Sequence, residues 1–194
     1  MVRMNQLASP QPDSKSATIV TAALGQFMAY GFSRVTMDDI AQAAGMSRPA
    51  LYQFFRNKQD IYEAGATAMR EKSIALLGEV LARPGSPRDR IFAGMGEGVL
   101  DLMAEMEATP HGAELISMSA GMPPEWMADW RKRKQALLGP VYELAGAKEP
   151  FTGAVLAEQL SDFLEGMKTR IADPSERRAA LARFIDLQFA ALAR

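Results

Sequence analysis

Apolar residues recur every three or four positions along almost the whole chain, which is the period of an amphipathic α-helix. The pattern predicts two short helices between residues 36 and 55. It also predicts longer helices over about 14–30, 58–83, 88–108, 110–121, 124–146, 151–172 and 174–193. Alternating patterns typical of β-strands are absent from the sequence. The sequence therefore predicts an all-α protein whose helices pack as a bundle.

The stretch 31–62 combines the two short helices with a glycine turn between them. Thr36 is placed to cap the first helix, and Asp39, three residues on, to return the hydrogen bond. Gly45 supplies the left-handed backbone that ends this helix, and Ser47 caps the second one. Two helices joined by a short glycine-containing turn form a helix-turn-helix, whose second helix inserts its N-terminal residues into the major groove of DNA. This pattern predicts DNA binding.

The second short helix is expected to have one buried face and one face that reads DNA. Its buried face is predicted to consist of Leu51, Phe54 and Phe55. Near its start, Arg48 is the only long hydrogen-bond donor, and arginine pairs bidentately with guanine. Arg48 is therefore the predicted base-reading residue, while Pro49 or Ala50 is placed to touch a thymine methyl group.

Many residues of the stretch 31–62 form a pattern with fixed spacing. They are Gly31-Phe32, Val35-Thr36-Met37, Ile40-Ala41, Ala44-Gly45-Met46-Ser47, Leu51-Tyr52, Phe55 and Lys58. This combination resembles the DNA-binding region of the TetR family of transcriptional regulators. The family often has histidine or tyrosine directly before the phenylalanine at position 55. Here that residue is Phe54, which has no hydrogen to donate to a phosphate.

The resemblance implies which residues meet the DNA backbone. Tyr52 and Lys58 match the family's phosphate contacts, and the helix starts at Thr36 and Ser47 suit phosphate oxygens. The predicted DNA contacts are therefore Thr36, Ser47, Arg48, Pro49, Ala50, Tyr52 and Lys58. The alternative is that Arg48 and Lys58 are ordinary solvated surface charges.

Charge and helix pattern divide the chain near residue 60. Residues 1–60 hold six basic and four acidic residues, for a net charge of +2. The other residues hold 16 basic and 19 acidic ones, for a net charge of −3. We predict that residues 1–60 form a polar arm (1–13) and the DNA-binding domain, and that 61–194 form a helical domain for ligand binding and dimerisation. The boundary falls inside the long helix, because no linker separates the two halves.

The middle helices are rich in methionine and aromatic residues, which adapt to ligands of varied shape. The residues predicted to line a pocket for a lipophilic small molecule are Met69, Phe92, Met95, Met103, Met118, Met122, Trp126 and Trp130. The alternative is that they form an ordinary helical core. The single histidine, His111, is expected to be exposed or to cap a helix. The glycine-rich run 94–98 is expected to be helical rather than a phosphate-binding loop, since no strand precedes it.

The last two predicted helices carry apolar stripes that suit a partner. The residues predicted to form a dimer interface are Phe151, Val155, Leu160, Phe163, Met167, Leu181, Phe184 and Ile185. With the family resemblance, these helices are expected to pair with their copies as a four-helix bundle. The alternative is that the stripes bury only the core of their own chain.

Composition narrows the class of protein. The sequence has no cysteine and one histidine, and it shows no nucleophile, metal or cofactor constellation, so we expect neither an enzyme nor a cofactor. No apolar run approaches the 18 residues of a membrane span, and the first residues lack the apolar segment of a secretion signal. A cytoplasmic location without membrane contact is therefore expected.

Together these features predict a homodimeric transcriptional regulator that responds to a small-molecule effector. The expected form is a repressor that binds a palindromic operator in double-stranded DNA and leaves it when a lipophilic ligand binds the middle helices. The alternative is a DNA-binding regulator whose pocket is vestigial, acting constitutively or under the control of a protein partner.

Overall fold

The computed structural model describes residues 15–193, which form ten α-helices. They are α1 (Lys15–Tyr30), α2 (Met37–Ala43), α3 (Arg48–Tyr52), α4 (Lys58–Leu81), α5 (Pro87–Met95), α6 (Leu102–Glu107), α7 (Gly112–Met118), α8 (Pro124–Leu144), α9 (Gly153–Arg170) and α10 (Pro174–Leu192). A π-helical segment (Gly96–Asp101) joins α5 to α6, and a 3₁₀ turn (Ser119–Gly121) follows α7. Over these described residues there is no β-strand, so the predicted all-α fold is confirmed. The predicted arm over 1–13 lies outside the described residues.

Several helices begin where a short polar side chain accepts a backbone hydrogen bond. The amide of Asp60 donates to the side-chain oxygen of Asn57 at 2.9 Å at the start of α4. The amide of Glu176 donates to the carboxylate of Asp173 at 2.8 Å at the start of α10. Such caps satisfy amides that have no partner inside the helix. These two starts were predicted from the sequence and are confirmed.

Packing divides the chain into two compact units. Over the described residues, the N-terminal unit comprises 15–72 and Glu105–Met122, and the C-terminal unit comprises Ser73–Ala104 and 123–193. The division falls within α4, between Lys72 and Ser73, and residues 105–122 pack with the N-terminal unit. The functional boundary at residue 60 stays a prediction.

In the N-terminal unit, α7 and the residue before it are hydrogen-bonded to α1 and α4. The amide of His111 donates to the carbonyl of Met28 in the last turn of α1 at 3.0 Å. The hydroxyl of Tyr62 in α4 donates to the carbonyl of Leu115 at 2.8 Å, and burial raises the pKa of Tyr62 to about 12. The ring of His111 lies 3.2 Å from the Glu114 carboxylate and is half-buried. Through its backbone amide, His111 therefore satisfies a carbonyl in the last turn of α1.

In the C-terminal unit, the glycine-rich run lies in α5 and the π-helical segment, as predicted. A Cβ on Gly98 would lie 3.2 Å from the backbone of Leu77, and one on Gly94 would lie 2.9 Å from the Leu77 side chain. These glycines therefore allow close packing of two helices. In the same unit, Gln188 is buried and accepts the hydroxyl hydrogen of Tyr142.

Candidate nucleic-acid interface

Helix α2 begins at a complete capping box. The Thr36 hydroxyl oxygen accepts the amide of Asp39 at 3.3 Å. The Asp39 carboxylate accepts the Thr36 hydroxyl at 2.7 Å and the Thr36 amide at 2.8 Å, and these two bonds lower the pKa of Asp39. Because both hydrogens of Thr36 are used within the box, a phosphate contact by Thr36 requires one of them to be exchanged. The predicted cap itself is confirmed.

The glycine turn and the cap at the start of α3 also agree with the sequence-based predictions. Gly45 has a φ of +67°, and a Cβ there would meet no atom within 4 Å, so backbone conformation rather than space favours glycine. The Ser47 hydroxyl accepts the amide of Ala50 at 3.4 Å. Pro49 occupies the first turn, where its missing amide hydrogen costs nothing. Pro49 is exposed and Ala50 is half-buried.

The buried face of α3 is smaller than predicted. Leu51 is fully buried, but the helix ends at Tyr52. Phe54 and Phe55 lie in the turn that follows, where Phe54 is 41% exposed and Phe55 is half-buried. The prediction that Phe54 is buried was wrong, because helical spacing no longer applies once the chain has left the helix.

Arg48 is exposed at the start of α3 and has two side-chain partners. Its Nη1 donates to the carboxylate of Asp38 in α2 at 2.7 Å. Its Nη2 donates to the hydroxyl of Tyr52, one turn further along α3, at 3.4 Å, and its Cζ lies 5.6 Å from the centre of that ring. The bond to Tyr52 and then the charge of Asp38 raise the pKa of Arg48. The guanidinium is therefore held in position while remaining open to solvent.

Lys58 makes a different set of contacts from those predicted for a phosphate-binding residue. Its Nζ donates to the carbonyls of Phe32, Ser33 and Val35 at 2.7, 3.1 and 2.9 Å. It also lies 4.6 Å from the centre of the Phe32 ring. An ammonium group has three hydrogens, and all three are directed to these carbonyls. Lys58 thus ties the loop before α2 to the start of α4, and contact with a phosphate requires exchange of one bond.

Two exposed arginines that the sequence reasoning did not single out flank the same loops. Arg34 lies in the turn before α2 and is exposed. Arg56 lies just before α4, and its side chain is 88% exposed although its Nε donates to Asp60 at 2.9 Å. The signal that could have found them is their position, three residues before the start of α2 for Arg34 and two before the start of α4 for Arg56. Both are candidates for contact with DNA phosphates.

The helix-turn-helix and its flanking helices coincide with a known family pattern. Residues 19–64 match the family model described as bacterial regulatory proteins, tetR family. This segment runs from α1 through α2 and α3 into α4. This part of the chain is therefore similar to the TetR family. The match places the capping box, the glycine turn and Arg48 inside the family's DNA-binding region.

The chain also resembles individual regulators. It is 23% identical over 134 residues to the HTH-type transcriptional regulator EthR of Mycolicibacterium smegmatis, covering 65% of this chain and 62% of that protein. It is 39% identical over 44 residues to the "Probable acrEF/envCD operon repressor" of Escherichia coli K12, covering 23% of this chain and 20% of that protein. The chain thus spans less than two thirds of the length of these curated relatives. Both relatives are transcriptional regulators, not enzymes.

A solved structure shares the fold over nearly the whole chain. It is SmeT, described as the repressor of the Stenotrophomonas maltophilia multidrug efflux pump SmeDEF, with a TM-score of 0.63. The identity is 16%, and the match covers 93% of this chain and 90% of that one. The likeness in fold therefore includes the C-terminal helices of this chain as well as its helix-turn-helix.

The residues predicted to line a ligand pocket differ in burial. Met95, Met103 and Met122 are buried, and Met95 belongs to the core of the C-terminal unit. The half-buried members of the set are Met69, Phe92, Met118, Trp126 and Trp130. Phe92 lies beneath the guanidinium of Arg88, at 5.2 Å from the ring centre. A ligand pocket in this chain stays a prediction.

The residues predicted to form a dimer interface fall into two groups. Leu160, Met167, Leu181 and Ile185 are fully buried in the core of the C-terminal unit, so they have no surface left for a partner. Phe151 is exposed, and Val155, Phe163 and Phe184 are half-buried. The rings of Phe163 and Phe184 stack at 4.1 Å between α9 and α10. The predicted interface is therefore restricted to this second group.

Residues 15–193 lack the features of a metal site and of a membrane-spanning helix. In that range, no three histidine, aspartate or glutamate side chains come together in a way that could hold a metal ion. In the same range, no helix is both long enough and apolar enough to cross a membrane. The helix-turn-helix is the site that the local geometry supports best.

Proposed function

We propose that this protein is a homodimeric, ligand-responsive repressor that binds a palindromic operator through its helix-turn-helix. The observation that carries the proposal is the exposed and oriented guanidinium of Arg48 at the start of α3. It lies within residues 19–64, the segment that matches the TetR-family pattern. Arginine at this position of a recognition helix is suited to guanine in the major groove. In this role the protein is a regulator located in the cytoplasm.

Repression is the mode that the relatives favour. The E. coli relative is named as an operon repressor, and SmeT is described as the repressor of a multidrug efflux pump. A dimer on the operator hinders transcription by occupying the DNA. By analogy with these proteins, genes for export of small molecules are suitable targets.

The proposed dimer places an apolar patch of α9 and α10 against its copy. The patch contains Phe163, Phe184 and Leu187, and Leu187 is 67% exposed on α10. Phe163 and Phe184 are half-buried, so each keeps some apolar surface beside Leu187, and a contiguous apolar patch on neighbouring helices is typical of an interface. A twofold dimer presents two recognition helices about one DNA turn apart, which requires an inverted repeat.

The proposed effector is a small lipophilic molecule bound among the middle helices. Helix α4 runs from the N-terminal unit into the C-terminal unit, so a ligand that displaces it can alter DNA binding. A 100-fold loss of DNA affinity requires roughly 2.7 kcal/mol of coupling between the two sites. A second candidate, a regulator with a vestigial pocket, is favoured by Met95, which is fully buried in the core.

Selection of bound sequences from a random pool of duplex DNA, at physiological salt, tests DNA recognition. We expect enrichment of an inverted repeat whose half-sites are about one helical turn apart. Sedimentation equilibrium on the same preparation should give a dimer. Enrichment of no sequence, or a monomer that binds a single half-site, would contradict the proposal.

A thermal-shift screen with lipophilic compounds separates the two candidates. The effector hypothesis expects some compounds to raise the melting temperature and to release the selected operator. Compounds that change neither quantity across a broad panel would favour the vestigial pocket. The selected operator serves as the control ligand, because it should stabilise the protein in both cases.

A further inference from the structure

Asp38 makes a contact that DNA binding alone does not explain. It lies in the first turn of α2, and its carboxylate accepts a hydrogen bond from Arg48 in α3 at 2.7 Å. Both side chains are exposed, by 61% for Asp38 and 54% for Arg48. A negative charge on the face that approaches DNA repels phosphates, so it weakens binding to every sequence. Its position beside the predicted base-reading residue therefore points to a role other than affinity.

The bonds of the guanidinium leave room for a base. The guanidinium group of arginine has five N–H hydrogens. One on Nη1 is directed to Asp38, and one on Nη2 is directed to Tyr52. Three hydrogens remain, on Nε and on both terminal nitrogens. A guanine needs two of them for its O6 and N7 atoms. Asp38, Tyr52 and a guanine can therefore be bonded to Arg48 at the same time.

We propose that Asp38 is a specificity-determining residue, which positions the Arg48 guanidinium for guanine. This inference rests on the proposed function, since it assumes that Arg48 reads a base. A long arginine side chain loses rotamer freedom when it orders on DNA, and a partner that orders it beforehand lowers that cost. Asp38 fixes one end of the guanidinium from α2, and Tyr52 fixes the other from α3. The plane of the Arg48 guanidinium is therefore fixed before DNA binds.

The proposal separates affinity from base discrimination. Removing the carboxylate takes away repulsion from phosphates, so binding to random duplex DNA should stay equal or become tighter. At the same time the guanidinium loses its orientation, so the preference for guanine should fall. If Asp38 only stabilised the fold, its removal would lower both the affinity for random duplex DNA and the preference for guanine.

The test uses four variants of the full chain on the selected operator, at one fixed salt concentration. D38A and D38L both remove the acceptor, while D38N keeps an amide oxygen that can still accept from Arg48. D129A is the control, because Asp129 is an exposed carboxylate paired with Arg133 on α8, in the C-terminal unit. Dissociation constants are measured for the operator, for operators with each guanine replaced, and for random duplex DNA. Thermal melting checks that each variant is folded.

We expect D38A and D38L to lose about tenfold in guanine preference at one position of each half-site, within the range that a bidentate pair supplies. D38N should keep that preference and bind random duplex DNA at least as tightly as the natural protein, and D129A should change neither. Full guanine preference in D38A and D38L would overturn the inference. If the natural protein itself selects no operator, the proposed function fails first, which is a different result.

Discussion

The helix-turn-helix and the helix pair α9–α10 use their side chains in opposite ways. In the first region, polar groups stay at the surface and bond to one another, as Thr36 does with Asp39 and Arg48 does with Asp38. In the second, apolar residues at helical spacing divide between the core and the surface, as Leu181 and Leu187 do on one helix. The comparison teaches that the first region is built for contact with a partner, whereas much of the second is built for stability.

The largest effect is expected from the core of the C-terminal unit. L181A removes a fully buried side chain of α10, so it should lower the free energy of unfolding by roughly 2–5 kcal/mol. Guanidinium denaturation at fixed protein concentration measures the change. L144A is the control, because Leu144 is 69% exposed and should change stability little. Equal losses in the two variants would contradict the division between core and surface.

Lys58 is the exception that sharpens the comparison, since it lies in the DNA-binding region but has a structural set of contacts. K58M removes three hydrogen bonds to the loop before α2 and should lower the free energy of unfolding by roughly 1.5–3 kcal/mol. The slope of log affinity against log salt should stay unchanged, because that slope counts phosphate contacts. A slope that falls by roughly 0.9 for each protomer would instead make Lys58 a phosphate contact.

In contrast to Lys58, Arg48 should affect DNA recognition and leave stability unchanged. R48A removes an exposed side chain, so the melting temperature should stay within experimental error. Guanine discrimination should fall by roughly 5- to 150-fold for each half-site, which is the range for a bidentate pair. Competition binding with base-substituted operators measures this loss, and sedimentation should still show the dimer. Undiminished operator preference would exclude Arg48 as the base-reading residue.

The smallest effect is expected at the cap of α2. T36A removes the hydroxyl that accepts the Asp39 amide, so the free energy of unfolding should fall by about 1 kcal/mol. T36S keeps the hydroxyl and is the matched control. If the two variants are equally unstable, the methyl group of Thr36 rather than the cap is responsible.

The helix-turn-helix could be predicted closely because its signals are local. The cap at Thr36, the turn at Gly45 and the cap at Ser47 each depend on residues three or four positions away. The exit from α3 was missed, and with it the exposure of Phe54, since a five-residue helix has too few positions to define a periodic face.

The contacts of the charged residues could not be predicted from their spacing. Arg48 meets Asp38 ten positions away, and Lys58 meets carbonyls 23 to 26 positions away. Such pairings depend on how the helices pack. The same limit applies to Gln188 on α10, which is buried and accepts the hydroxyl hydrogen of Tyr142 on α8.

The sequence by itself determined the all-α fold, the position of nearly every helix and the family of the DNA-binding region. Those properties follow from apolar periodicity, capping residues and a characteristic spacing, which are all short-range features of a chain. Only the tertiary structure decided which stripe of α10 is buried and which partners hold Arg48 and Lys58. Burial and long-range hydrogen bonds arise when distant segments meet, and helical spacing is the same for a side chain that faces the core as for one that faces a partner.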